Sequence, residues 1–158
     1  RKMDLTQAGD FEGAKESFDT VICLNVVEHV EDDLGALRNL RMVLKSGGVA
    51  CILVPSGPRL FGSLDDALGH HRRYTKTLLS ERLQEAGFKV EKVFSFNRIG
   101  VPGWWFNSRI LKRTHFGKVQ LKLYDSLVWL WRRVDRLLPW EGLSLIAIAR
   151  RVEGATGS

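Results

Sequence analysis

Two uninterrupted apolar runs, VICLNVV (Val21–Val27) and VACILV (Val49–Val54), constrain this chain more than any other feature. Both are rich in β-branched residues and neither alternates cleanly with polar ones, the pattern of strands buried on both faces of a parallel sheet. Between them Leu34, Leu37, Leu40 and Leu44 recur at near-helical spacing. Asp32 or Asp33 can cap that helix and complement its dipole, and Lys45 with Gly47–Gly48 is the expected stop. Strand, helix and strand in this order predict a right-handed crossover. The first run turns polar at its tip, into Asn25, Glu28 and His29, and the acidic EDDLGAL follows at once. Open parallel sheets bind ligands beyond the carboxyl ends of their strands, which makes this tip a candidate site. A solvated strand end running into an early helix cap is the alternative.

Further along, Thr75 is the predicted N-cap of a helix to about Ala86, with Leu78, Leu79 and Leu83 as its buried stripe and Gly87 as its end. FKVEKVFSF (Phe88–Phe96) reads as a strand of mixed alternation, and LSLIAIAR (Leu143–Arg150) as a last buried strand. The segment between them, about residues 98–140, is far longer than an ordinary connection. It is predicted to hold a helix from about Lys118 to Leu138, with Leu123, Leu127, Leu130, Val134 and Leu137 or Leu138 on one face and Pro139 as the stop. The expectation is one α/β domain over residues 1–158 with a helical cap, its final strands pairing antiparallel at the sheet edge.

The 158 residues are 44% hydrophobic, enough for a single core. No apolar run reaches the roughly 20 residues of a membrane span, and no apolar segment follows the charged first residues as a signal peptide requires. The opening RKMDL reads as the middle of a fold, so a longer parent protein is expected. Cys23 and Cys51 sit inside apolar runs without a CxxC partner, which predicts buried free thiols and a cytoplasmic setting. The net charge of +6 is regional: between Arg98 and Trp140 nine Lys/Arg face only Asp125 and Asp135, and all five tryptophans lie there. A cap with a solvated basic face, a lid over an apolar acceptor, a peripheral membrane contact and a dimer face all suit that composition. Nucleic acid is ranked last, because no nucleic-acid-binding motif accompanies the charge.

The stretch FDTVICLNVVEHVEDDLGALRNLRMVLKSGGVACILVP resembles the second half of a class I S-adenosylmethionine-dependent methyltransferase. LFGSLDDALGHHRRYTKTLLSERLQEAGF, FNRIGVPGWWFNSRILKR and LLPWEGLSLIAIARR are similar to methyltransferase domains found beside bacterial family 2 glycosyltransferases. The resemblance runs from about Met3 to Arg151 and implies a Rossmann-like sheet with a helical insertion before the last strand. It implies S-adenosylmethionine as cofactor and a small-molecule or lipid- or saccharide-linked acceptor. The superfamily's glycine-rich motif and the acid that holds the ribose are not in this sequence. RKMDL would then correspond to the end of the third strand, and the chain alone is expected to bind the cofactor poorly.

The resemblance places Asp4 and Leu5 at the adenine, backbone near Leu24 and Asn25 at the methionine part, and Val26 with Val27 near the adenine. A carboxylate is the acceptor that an exocyclic amine needs. Glu28 and His29 would point to the substrate side, and His29 is the candidate general base, although an activated methyl sulfonium does not require one. His70, His71, Arg72, Arg73 and Tyr74 would bring cations and a phenol to the acceptor. Pairing of those arginines with Asp65 and Asp66 is the structural alternative. No metal is expected, because adjacent histidines rarely both face one ion and no third ligand is evident. A non-catalytic module that dimerises through the open edge of VICLNVV, or sits on a membrane surface, is the alternative function. A nicotinamide-dependent dehydrogenase is disfavoured by NVVEH at the strand tip and by the antiparallel finish.

Overall fold

The computed structural model describes residues 3–115, 117, 122 and 124–152. The first apolar run forms β1 (Phe18–Leu24) and ends where Asn25 takes a left-handed backbone, φ 52°. Asparagine tolerates that conformation better than a β-branched residue, so the polar tip is also where the strand stops. A single 3₁₀ turn, Val27–His29, then leads to α2 (Asp33–Val43), a short helix α1 (Ala8–Glu12) having preceded β1. Asp32 is the cap: its side chain accepts from the Gly35 amide at 2.9 Å.

The helix stop differs from expectation. Leu44 is already extended at φ −74°, ψ 141°, and opens β2 (Leu44–Pro55), which starts five residues earlier than the apolar run alone suggests. Phe18 pairs with Leu44 and Thr20 with Val49, so Lys45–Gly48 bulge out opposite Asp19. Gly47, at φ 75°, supplies the turn inside that bulge, and Lys45 closes it with a 2.9 Å ion pair to Asp19. The two glycines therefore shape a strand irregularity instead of a helix terminus.

After β2 come a 3₁₀ turn (Pro58–Leu60), α3 (Ser63–Leu68) and α4 (Lys76–Glu85), followed by β3 (Phe88–Phe96). Thr75 caps α4 as predicted, its hydroxyl accepting from the Leu78 amide at 3.1 Å, a contact that contributes about 1 kcal/mol. β4 (Ser144–Arg151) inserts between β2 and β3, antiparallel to both, giving the order β1-β2-β4-β3 with β1 and β2 parallel.

One face of the sheet carries Ala50, Ile52 and Val54 from β2 and Leu145, Ala147 and Ala149 from β4, all fully buried together with Leu37 of α2 and Leu79 and Leu83 of α4. The alternation on β4 is the period-two pattern of a strand with one face in the core. The other side is more open, with Ile22 66% and Leu24 50% exposed on β1.

Between β3 and β4, α5 (Gly100–Trp105) runs into a π-helical turn (Phe106–Ile110), neither of which the sequence pattern announced. Of the long helix predicted from Lys118, residues 118–121 and 123 lie outside the described residues. The described part contains a helix at Val128–Val134 and a 3₁₀ turn at Asp135–Leu137. Leu137, one of the two residues offered for the buried stripe, is 81% exposed. The segment is pinned to the end of β3: Tyr124 donates to Asn97 Oδ1 at 2.7 Å, and Trp140 and Arg98 exchange side-chain to backbone hydrogen bonds at 2.8 Å. Among the described residues no helix is long and apolar enough to cross a membrane.

Candidate active site

The carboxyl ends of the parallel strands β1 and β2 meet at two concavities. The first, about 460 Å³, is lined by Met3, Asp4, Leu5, Asp10, Val26, His29 and Val30. The second, about 510 Å³, takes Asn25 and His29 from β1's end, Pro55 from β2, His70 and Arg73 from the loop after α3, and Trp104 from α5. His29 belongs to both walls.

Local chemistry holds the first concavity in place. Asp4 Oδ1 accepts from both the amide and the hydroxyl of Thr6, at 2.9 and 2.8 Å, and these bonds hold its carboxyl below the usual range. Asn39 of α2 donates to the Leu5 carbonyl at 2.8 Å and so fastens this segment to the βαβ unit. Asp4, Leu5, Val26 and His29 thus come together. Asn25 stands across the strand end, in the larger cavity, its amide donating to Leu53 at 3.0 Å.

The loop HHRRY divides between roles. His70 and Arg73 line the larger cavity, and both bind Asp65: His70 Nδ1 at 2.8 Å and Arg73 Nε at 2.7 Å from Oδ1. Arg73 also donates to the Ser56 carbonyl at 2.8 Å and stacks its guanidinium 4.5 Å from the centroid of the Trp104 ring. Burial pulls its pKa down while Asp65 pulls the other way. Tyr74 is wholly buried in the core and donates to Asp33 Oδ2 at 2.9 Å; burial pushes its phenol far up. Arg72 pairs with the same Asp33 at 2.9 Å, away from the cavity, and His71 is exposed and lines neither concavity. The physical reason is alternation: Tyr74 continues beside β2 as an isolated parallel bridge to Ser56, so successive side chains point to opposite sides.

Sequence reasoning left the role of Asp65 in this wall open and missed Trp104 and Asn97, which also face the larger cavity. Glu28, expected to point to the substrate side, lines neither concavity: it is fully buried, and neither carboxylate oxygen is hydrogen-bonded among the described residues. Burial pushes its carboxyl above the ordinary value, against the field of its own backbone amide and of His70, His29 and Arg73. The pairing of Asp65 with a following arginine is the alternative that residue order offered, as opposite charges in one glycine-rich loop, and Arg73 makes it.

Comparison with solved structures places this architecture. A candidate methyltransferase from Bacillus halodurans C-125 aligns with TM-score 0.59 and 18% identity over 96% of this chain and 70% of its own. An S-adenosylmethionine-dependent methyltransferase from Archaeoglobus fulgidus aligns with TM-score 0.56 and 16% identity, covering 96% of this chain and 66% of its own. The [4+2]-cyclase SpnF has the same fold by TM-score 0.56 and 16% identity, covering 98% of this chain and 56% of its own. The chain therefore spans between 56% and 70% of these relatives' lengths, and a fold shared with a cyclase does not by itself assign a reaction. No curated protein matches the chain in sequence. Residues 2–93, more than half of the chain, match the family described as "Methyltransferase domain". The mixed sheet with its flanking helices is the Rossmann-like methyltransferase fold, and the chain belongs to that methyltransferase-domain family.

Proposed function

We propose that the protein containing this chain transfers a methyl group from S-adenosylmethionine to a small-molecule or lipid-linked acceptor by in-line displacement. The observation that carries this reading is the shared wall: His29 stands between the groove of Asp4, Leu5 and Val26 and the larger cavity of His70, Arg73 and Trp104. A donor in one concavity and an acceptor in the other would meet there. The groove residues fit the nucleoside end of the cofactor, because both Thr6 bonds fall on Asp4 Oδ1 and leave Oδ2 to accept from an exocyclic amine. Leu5 would offer its backbone amide to a ring nitrogen, Val26 would pack near the base, and Asn25 would lie toward the methionine end. When bound, the cofactor supplies an already activated methyl on a sulfonium. His29 would then orient the acceptor or take its proton. His70 and Arg73 would bind its polar group.

The outer edge of β1 pairs with no strand among the described residues. This chain alone should therefore hold S-adenosylhomocysteine only at roughly millimolar Kd, about −4 kcal/mol. Titration followed by amide chemical shifts should perturb Asp4–Thr6 and Asn25–Val30, and Asp4→Ala should abolish the perturbation. Shifts scattered elsewhere, or none at millimolar ligand, would refute the cofactor placement.

A saccharide-bearing or lipid-linked acceptor is proposed from the finer likeness to methyltransferase domains beside family 2 glycosyltransferases, and from the apolar lining of Leu68, Ile99 and Leu143. Peripheral membrane contact is favoured by one patch: Trp105, Phe106, Ile110 and Leu111 are each exposed, with Arg109 and Lys112 among them. Flotation with anionic phosphatidylserine vesicles at low salt should carry the chain upward, and Trp105→Ala with Ile110→Ser should reduce this several-fold. A chain that stays at the bottom of the gradient rules the contact out.

A further inference from the structure

We propose that Glu28, His29 and His70 form a binding site for one divalent first-row transition-metal ion on the wall of the larger cavity. One ligand atom from each of the three lies within 4.8 Å of the others. The two imidazole rings meet edge to face with centroids 4.8 Å apart. Glu28 and His29 are adjacent on the one-turn 3₁₀ helix after β1, and His70 comes from the loop after α3. The His71 amide donates to the Glu28 carbonyl at 2.8 Å and fixes the two segments against each other.

Three independent features point to a cation. First, Glu28 is fully buried and neither of its carboxylate oxygens has a hydrogen-bond partner among the described residues. A buried carboxylate without a partner is costly and is normally paired or bound to a metal. Second, each histidine uses Nδ1 on a group that can only accept: His70 faces Asp65 Oδ1 at 2.8 Å and His29 faces the Gly69 carbonyl at 3.1 Å. Nδ1 therefore carries the proton on both neutral rings, and Nε2 keeps the lone pair. A carboxylate or backbone carbonyl behind the imidazole is the arrangement that orients metal-binding histidines and raises their basicity. Third, Arg73 is held by Asp65 in a buried pair at 2.7 Å, and the Glu28 carboxylate makes no ion pair or hydrogen bond among the described residues.

Donors about 2.0–2.1 Å from a tetrahedral ion stand roughly 3.3 Å apart. The three side chains, within 4.8 Å of one another, would have to close by that difference on binding the ion. Two imidazoles and one carboxylate suit Zn²⁺, Fe²⁺ or Co²⁺ better than a cation that prefers oxygen alone. Three protein ligands leave coordination open, and since His29 and His70 both line the cavity, that opening would receive an oxygen of the bound acceptor. The site does not depend on methyl transfer, and its test does not measure activity.

The test is equilibrium dialysis of the purified full chain against Zn²⁺, with bound metal counted by mass spectrometry, and Co²⁺ titration read by visible absorption. Wild type should take up one Zn²⁺ per chain at micromolar or lower free metal and give intense ligand-field bands with Co²⁺. Glu28→Gln and His29→Ala, each checked for native circular dichroism, should bind at least ten-fold more weakly. His115→Ala, an exposed histidine elsewhere, should match wild type. His29→Ala keeps the test open if the buried Glu28 substitution unfolds the chain. Absence of stoichiometric Zn²⁺ in wild type would mean that a proton shared with an imidazole balances Glu28, and would overturn the proposal. Undiminished binding by folded His29→Ala would overturn it equally.

Discussion

Asp65→Ala is expected to lower the unfolding free energy by about 3–5 kcal/mol, because it strands a buried guanidinium. The Asp65 and Arg73 side chains are 0% and 2% exposed, and their Oδ1–Nε separation is 2.7 Å. The same carboxylate accepts from His70 Nδ1 at 2.8 Å and, through Oδ2, from the Gly62 amide at 3.0 Å, where it completes the start of α3. Without it Arg73 keeps, among the described residues, the Ser56 carbonyl and the face of Trp104. Thermal unfolding should shift down by roughly 6–20 °C for a chain of this size. The double variant with Arg73→Met should lose clearly less than the sum of the single losses, since the second change removes the stranded charge. A melting temperature for Asp65→Ala within about 2 °C of wild type would show that water reaches the pair and screens it.

Gly142→Ala is the second large effect. A Cβ at this position would stand 1.9 Å from the Phe96 carbonyl oxygen, 2.3 Å from its carbon and 2.9 Å from its nitrogen. All three are backbone atoms at the end of β3, where Phe96 pairs with Ser144 and Leu143 donates to the Asn97 carbonyl at 3.1 Å. No side-chain rotation relieves such a contact, so β3 and β4 must separate there, at a cost of about 3 kcal/mol or more. The damage should reach the cavity, since Leu143 and Ser144 line it and Leu143 accepts from the Ser56 amide at 2.7 Å. Gly103→Ala provides the comparison: nothing among the described residues lies within 4 Å of its Cβ position, and in helix α5 alanine should be neutral or slightly stabilising. Denaturant melts of the two variants that coincide would contradict the steric account.

Some elements were legible because their determinants are local. Thr75, the leucine stripe and Gly87 bound α4, and Phe88–Phe96 emerged as β3 at the predicted residues. β1 and β2 were legible from their continuous β-branched apolar runs, but the expected burial on both faces is not met: β1 leaves Ile22 66% and Leu24 50% exposed. The end of α2 was misjudged because Gly47–Gly48 have the same appearance in a C-cap and in a bulge; pairing with β1 decides between them. The π turn after α5 carries no composition signal at all. In the candidate site, Asp4, Leu5, Val26 and His29 could be named in advance, yet the division of HHRRY between cavity, core and surface could not. That division follows from where residue 74 pairs with β2, a contact 18 positions away, as the Ser56–Tyr74 bridge records.

The amino-acid order alone determined the βαβ unit, its capped helices and the polar tip of the first strand, since each depends on side chains a few positions apart and on the period of burial. Only the tertiary structure decided that β4 lies between β2 and β3, that Arg73 and not Arg72 is the arginine that closes on Asp65, and that Glu28 meets two imidazoles with no hydrogen bond to its carboxylate among the described residues. Those outcomes depend on long-range pairing and on which charges end up beyond the reach of water, and no local pattern encodes either.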